Sequence, residues 1–480
     1  MDKSAIQIAK NIREKKISSF EVTSSFLKRI EKLDPQINSV ITVNEQALSL
    51  SRNAEKNFNG KPLAGVPVLF KDMFCTKGIK TTAASKILEH FIPPYSATVV
   101  ERLEQAGALT LGKCNQDEFA MGHSTRTSHF GPARNPWNLN YTPGGSSGGS
   151  ASAVSASFSP ISLGTDTGGS IRQPAHFCNL VGVKPTYGRV SRFGIVAYAS
   201  SLDQAGPLAH TVEDCALILY LISGKDERDS TTSDRKVPLW HEKLNANVTN
   251  LKVGIPKEFL KNISSSVQES LSTAQGVLIK NGAKIIDVSL PLSSYFPNTY
   301  YLISSCEASS NLSRYDGIRY GFSSRKSSQS LIDLYSQTRG EGFGSEVKRR
   351  ILMGTFCLSE GYYEAYFKKA QKVRRLIREQ FDQLFKDVDV ILAPVTPDIP
   401  PPVKESSEDL IKNYTGDMFT VPANLSGLPS LSVPVGIFEG FPLGVQLIGR
   451  AFDEQTLFDT AYLLQEELQA YKNKPPFGES

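Results

Sequence analysis

Residues 144–174, GGSSGGSASAVSASFSPISLGTDTGGSIRQP, decide how the rest of the chain is read. They present two serines, Ser146 and Ser170, each hedged by glycines, with Arg172 and Pro174 just after the second. Glycine tolerates positive φ and lets another backbone or a ligand come close. Small residues on both sides of a hydroxyl therefore read as a serine held out to a substrate. A flexible Gly/Ser linker is the plain alternative. A linker has no use for Asp166, Arg172 or Pro174, nor for the ordered, Ala-rich segment between the two serines.

A serine hydroxyl is a poor nucleophile until a base takes its proton. GGSSG fits the Gly-x-Ser-x-Gly elbow, which needs a strand before it, a helix after it, and an Asp and a His far downstream. Residues 138–143 do not read as a strand, and the following histidines, His176, His210 and His241, all come early. Lysine is the other candidate base, once burial or a nearby cation lowers its pKa. Lys71 directly follows the apolar run 65–70 (GVPVLF), a buried strand by pattern. The competing reading is a lysine emerging into solvent as that strand ends. TDTGGS over 165–170 supplies consecutive backbone N–H groups ahead of Ser170, the makings of an oxyanion hole.

Outward from this core, strands and helices alternate and predict α/β layering. Helical spacing runs over 6–33, with Ser18 or Ser19 capping a second helix near Phe20 and Pro35 ending it. Helices are expected over 43–59, 97–106, 211–223, 265–281, 300–314 and 454–471, and one long basic helical stretch over 345–385. Strands are expected over 65–70, 108–111, 180–185, 252–255, 284–288, 388–393, 431–435 and 442–448. The charged loop 225–236 is the best boundary candidate, although the βαβ rhythm after it implies that the sheet continues across. GALTLGK over 107–113 nearly matches a phosphate-binding loop, but Cys114 stands where Ser or Thr is required and the intervening residues read as a strand.

Bulk properties narrow the function classes. No run of about 18 apolar residues and no secretory leader is present, which predicts a cytoplasmic protein without a membrane anchor. The net charge of +5 comes without a basic stripe interleaved with aromatics, so nothing argues for direct nucleic-acid binding. The six cysteines form no Cys-x-x-Cys pair and read as reduced thiols, and the six histidines show no metal-ligand spacing.

Lys71 in its GVPxxxKD context, GGSSGGS around Ser146 and TDTGGSIRQP around Ser170 together resemble the amidase signature family. The resemblance implies that family's fold, a mixed central β-sheet covered by helices on both faces. One domain would span 1–480, with N-terminal helices over 1–60, a core over 61–224, and the remaining sheet and helical pocket over 237–480. It implies a Ser–Ser–Lys triad in which Ser170 is the nucleophile, Ser146 bridges and Lys71 is the ultimate base. The N–H groups of Thr167, Gly168 and Gly169 would face the oxyanion.

SSLDQAGPL (200–208), YDGIRYG (315–321), EVKRRILMGTF (346–356) and DMFTVPANLSGLPSLSVP (417–434) extend the likeness to the glutaminase subunits of tRNA-dependent amidotransferases. That branch implies glutamine as substrate, with Tyr301, Arg350 and Asp417 in its pocket. It further implies a tRNA-binding B subunit that uses ATP and Mg, a small C subunit, and no cofactor on this chain. The acceptor, Glu-tRNA(Gln) or Asp-tRNA(Asn), stays open. A free-standing amidase of small or fatty amides and a catalytically inactive scaffold or RNA-binding protein are the competing readings. Arg126-Thr127 and Thr415-Gly416 depart from the usual family pattern.

Overall fold

Eleven strands form one mixed sheet in the order β1-β3-β2-β4-β6-β5-β10-β11-β9-β7-β8. They are β1 (Val40–Val43), β2 (Pro67–Lys71), β3 (Leu109–Cys114), β4 (Ile161–Thr165), β5 (Val181–Lys184), β6 (Ala205–Ala209), β7 (Lys252–Pro256), β8 (Lys284–Val288), β9 (Val390–Pro394), β10 (Ser430–Phe438) and β11 (Phe441–Gly449). The computed structural model describes residues 4–57, 60–325, 328–404 and 416–478. Strands from both sides of the charged loop 225–236 lie in this sheet, and β10 joins β5 to β11.

The helices are α1 (Ala5–Arg13), α2 (Ser19–Ile37), α3 (Ala47–Asn57), α4 (Thr98–Gln105), α5 (Gly148–Ser155), α6 (Arg172–Phe177), α7 (Val212–Ile222), α8 (Ser265–Lys280), α9 (Phe296–Asn311), α10 (Leu331–Gly342), α11 (Ser345–Leu358), α12 (Lys369–Leu384), α13 (Val421–Leu425) and α14 (Glu454–Leu468). Two large apolar cores divide the packing. One holds β2, α4, α7 and α14; the other gathers α9, α11, α12 and α13. The second core surrounds the pocket.

Local chemistry explains where the elements begin and end. Ser18 and Glu21 cap α2 reciprocally: the Ser18 hydroxyl accepts from Glu21 N–H at 3.1 Å, and Ser18 N–H donates to Glu21 Oε2 at 2.8 Å. Pro35 does not end this helix as expected. Ile37 is buried in the core, and the Asp34 carboxylate receives Ser39 and Val40 N–H, so the last turn closes beyond the proline. The predicted helix 43–59 begins only at Ala47, because Val40–Val43 joins the sheet edge as β1.

The stretch 345–385 is two helices, not one. Ser359 turns extended at the end of α11 and Gly361 adopts φ +84° before the chain winds up again. The strand β6 carried no periodic signal. Its Gly206-Pro207 pair is buried mid-sheet, where a Cβ on Gly206 would lie 1.9 Å from the Val183 carbonyl oxygen.

Candidate active site

Lys71 is the last residue of β2, and its side chain is fully buried. Its Nζ reaches the Ser146 hydroxyl at 2.6 Å and the Thr165 hydroxyl at 2.8 Å. Burial is the main influence on this amine and lowers its pKa to about 7, although Asp117, Asp166 and Asp203 pull the other way. Near neutral pH it is therefore substantially unprotonated and able to accept a proton. The reading of a lysine emerging into solvent is overturned. The strand runs on into the loop that closes over it, and Asp72 N–H donates to the Cys114 carbonyl at 3.1 Å.

Ser146 follows a cis peptide bond with Gly145 in the loop before α5. Ser147 N–H donates to the Ser170 carbonyl at 3.1 Å, which holds the two serine loops together. Ser170 lines a cavity with Gly145, Gly168, Tyr301, Arg350 and Asp417. Residues far apart in sequence thus share one wall.

The loop 166–170 is shaped by Asp166. Its carboxylate accepts from Gly169 N–H at 2.8 Å and from Ile171 N–H at 3.2 Å. Arg172 meets it with Nε and Nη2, both at 3.0 Å, and also donates to the Thr420 carbonyl, Gln446 and Asn424. Burial opposes the charge on Asp166, but this guanidinium holds its carboxyl well below the usual range. Gly169 has φ +132°, and a Cβ there would lie 2.4 Å from Thr420 Oγ1. Its N–H is committed to Asp166, which removes it from the expected trio of oxyanion donors. Among the described residues the N–H groups of Thr167, Gly168 and Ser170 have no such acceptor. The Thr167 hydroxyl donates to Asp203 at 2.7 Å, which fixes the loop that carries these groups.

Across the cavity, α9 supplies Tyr300 and Tyr301, and α11 supplies Arg350. The Arg350 Nε donates to Glu346 Oε1 at 2.7 Å, its Nη1 bonds the Tyr198 hydroxyl, and the Tyr301 ring lies 5.1 Å away. Among the described residues no acceptor bonds Nη2. The Tyr301 hydroxyl donates to Asp417 Oδ2 at 2.6 Å. Burial raises the Asp417 carboxyl, tempered by His123, Tyr301 and Arg350. A cation and an anion thus face the same cavity as Ser170. Arg350 is buried, and Asp417 is bonded by the Tyr301 hydroxyl.

The family model named Amidase matches residues 21–458. The chain belongs to the amidase family. This amidase is 51% identical over 475 residues to the glutamyl-tRNA(Gln) amidotransferase A subunit of Pelagibacter ubique, covering 98% of the chain and 96% of that protein. Against the protein of the same name from Geobacillus thermodenitrificans it is 50% identical, with 97% of each covered. The crystal structure of the Thermotoga maritima counterpart aligns with TM-score 0.79 and 42% identity over 95% of this chain and 92% of that one. The peptide amidase from Stenotrophomonas maltophilia aligns at TM-score 0.85 and 29% identity, covering 99% of this chain and 98% of that one.

Several residues of the amidase that support the pocket carried no sequence signal. Thr165, Tyr198, Glu346 and Thr420 act through hydrogen bonds that only the fold creates. Asp117 and Glu118 could have been found, since two adjacent carboxylates inside the apolar context 109–121 have to be bonded when buried. Of the departing pair 126–127, the Thr127 hydroxyl accepts from Glu118 N–H at 2.9 Å and meets Asp117 Oδ1 at 3.0 Å, so it braces the loop. Gly416 borders Asp417, while Thr415 lies outside the described residues. The near phosphate loop 107–113 is buried strand. Lys113 is consumed by the Phe74 carbonyl, Thr81 and Asp72.

Proposed function

We propose that this chain is the glutaminase subunit of a tRNA-dependent amidotransferase, an enzyme of the glutamine-hydrolysing glutaminyl-tRNA synthase type. The observation that carries the reading is the buried Lys71 amine 2.6 Å from Ser146, whose neighbour Gly145 lines a cavity together with Ser170, Arg350 and Asp417. The near-full-length similarity to A subunits of such amidotransferases supports the choice of substrate.

In the proposed reaction Ser170 Oγ attacks the side-chain carboxamide carbon of glutamine. Its proton moves to Ser146 Oγ as the Ser146 proton moves to Lys71 Nζ. The oxyanion is received by N–H groups of Thr167, Gly168 and Ser170, with Gly169 left to Asp166. Return of a proton to the leaving nitrogen breaks the C–N bond and frees ammonia. Water then attacks the glutamyl ester and releases glutamate. Arg350 Nη2 takes the α-carboxylate, for which a planar guanidinium is well shaped, and Asp417, oriented by Tyr301, takes the α-ammonium.

Ammonia passes to a partner B subunit that binds tRNA and, with ATP and Mg, activates misacylated Glu-tRNA(Gln) for amidation; Asp-tRNA(Asn) is a second acceptor class. A small C subunit completes the heterotrimer. Six free, buried cysteines are compatible with a reducing cytoplasm, and among the described residues no helix is long and apolar enough to cross a membrane.

The test is glutamine turnover by the chain with its co-purifying subunits, with and without misacylated tRNA. Glutamine-dependent amidation that is lost in Ser170→Ala is expected. Hydrolysis of simple aliphatic or peptide amides but not glutamine would replace this reading with that of a free-standing amidase.

A further inference from the structure

Glu118 is buried between the triad and the helix that carries Arg350. Its carboxylate accepts from the Ser85 hydroxyl and, at 2.9 Å, from the backbone N–H of Gly344. Gly344 is the N-cap of α11 and has no side chain to cap it. The N-cap N–H of this helix therefore finds its hydrogen-bond acceptor on a distant loop, while Glu346 supplies the acidic group of the helix's own first turn. A Cβ on Gly344 would lie 2.3 Å from Glu118 Oε2, so the glycine permits the contact.

Arg350 is six residues on from Gly344, about 9 Å along the helix axis. The far half of α11 is fixed independently, because Gly354 packs so tightly that a Cβ would meet the Ser305 carbonyl oxygen at 2.0 Å. Glu118 holds the N-cap of the near half, beside Phe119 against Phe343 at 5.7 Å between ring centres and Val347 in the core. On its other side, Asp117 N–H donates to the Ser146 carbonyl at 3.3 Å. One dipeptide touches the backbone of the bridging serine and the start of the helix bearing the cation.

We propose that Glu118 is a positioning residue that sets the guanidinium of Arg350 against the nucleophile, so that it controls selection of substrates bearing an α-carboxylate. The inference rests on the reading of Arg350 as the carboxylate clamp. A shift of the α11 start moves Arg350 while leaving Lys71 and Ser146 on their own strand and loop. Loss of Glu118 therefore weakens glutamine binding more than it weakens Ser170.

The experiment labels Ser170 of the full chain, with its co-purifying subunits, using a small alkyl phosphonofluoridate that has no carboxylate, and titrates glutamine as protectant. For Glu118→Ala the half-protecting glutamine concentration is expected to rise about tenfold, the scale of one misplaced charged contact. The labelling rate stays within about threefold of the native protein, and Glu118→Gln, which keeps an acceptor for Gly344, recovers most of the protection. Gly344→Ala strains the same contact from the helix side and carries the test if Glu118→Ala does not fold. Equal loss of labelling and protection, unchanged protection, or no recovery in Glu118→Gln overturns the proposal. Native protein whose Ser170 does not label at all refutes the triad instead.

Discussion

At the scale of single residues, the chemistry turns on an amine kept dry. In the proposed mechanism the neutral form of Lys71 is the base, so activity requires loss of its proton. With its pKa lowered by burial to about 7, kcat/KM for glutamine is expected to rise with pH through about 7 and level off above it. A pH–rate profile checks this. A rising limb near lysine's usual value of about 10.4 would mean that Lys71 is not the base. Lys71→Ala should lower kcat by about a hundredfold or more, the typical worth of a positioned base. Arg350→Ala should act differently, raising KM for glutamine about tenfold or more while kcat changes less. The sequence made Ser146, Ser170 and Lys71 legible because small residues and a strand-terminal lysine are local signals. It could not separate Gly169 from its neighbours, since only the folded loop turns that N–H onto Asp166.

Between elements, one side chain does most of the joining. Arg172 on α6 links the nucleophile loop to the carbonyl before α13, to Asn424 within it, and to Gln446 on β11. All of these groups are buried. Arg172→Met would leave Asp166 charged and unpaired, and is expected to destabilise the protein by about 3–5 kcal/mol. Chemical denaturation measures it; a loss under about 1 kcal/mol would show that the network is redundant. The elements themselves were readable where burial and period agreed, as for β8, whose limits match its expected span. Edge strand β1 and proline-bearing β6 were not, because partners far along the chain impose their extended form. The break between α11 and α12 was marked by Gly361, but helical composition on both sides masked it.

Taken as a whole molecule, the protein buries unusual bases and many thiols. Burial lowers both Lys71 and Lys184 to about 7. Above that pH the native state releases protons that the unfolded chain keeps until about 10.4, so stability rises with pH from about 7. The six cysteine thiols are all raised by burial. The unfolded chain loses those protons from about 8.5 upward, so there the slope reverses. A maximum in Tm near about pH 8–8.5 is expected by calorimetry, and Lys184→Met should flatten the rising side. A Tm that falls steadily from about pH 7 would contradict this balance.

The loop bearing Ser170 is braced through Arg172 by Gln446, while β5, beyond α6, pairs with β10, which begins only at Ser430. A growing polypeptide on the ribosome has made both serines and the lysine long before it has made these supports. In the proposed function, glutamine would be spared by half-finished copies, because the ability to release ammonia would come only after β10 and Gln446 have been made.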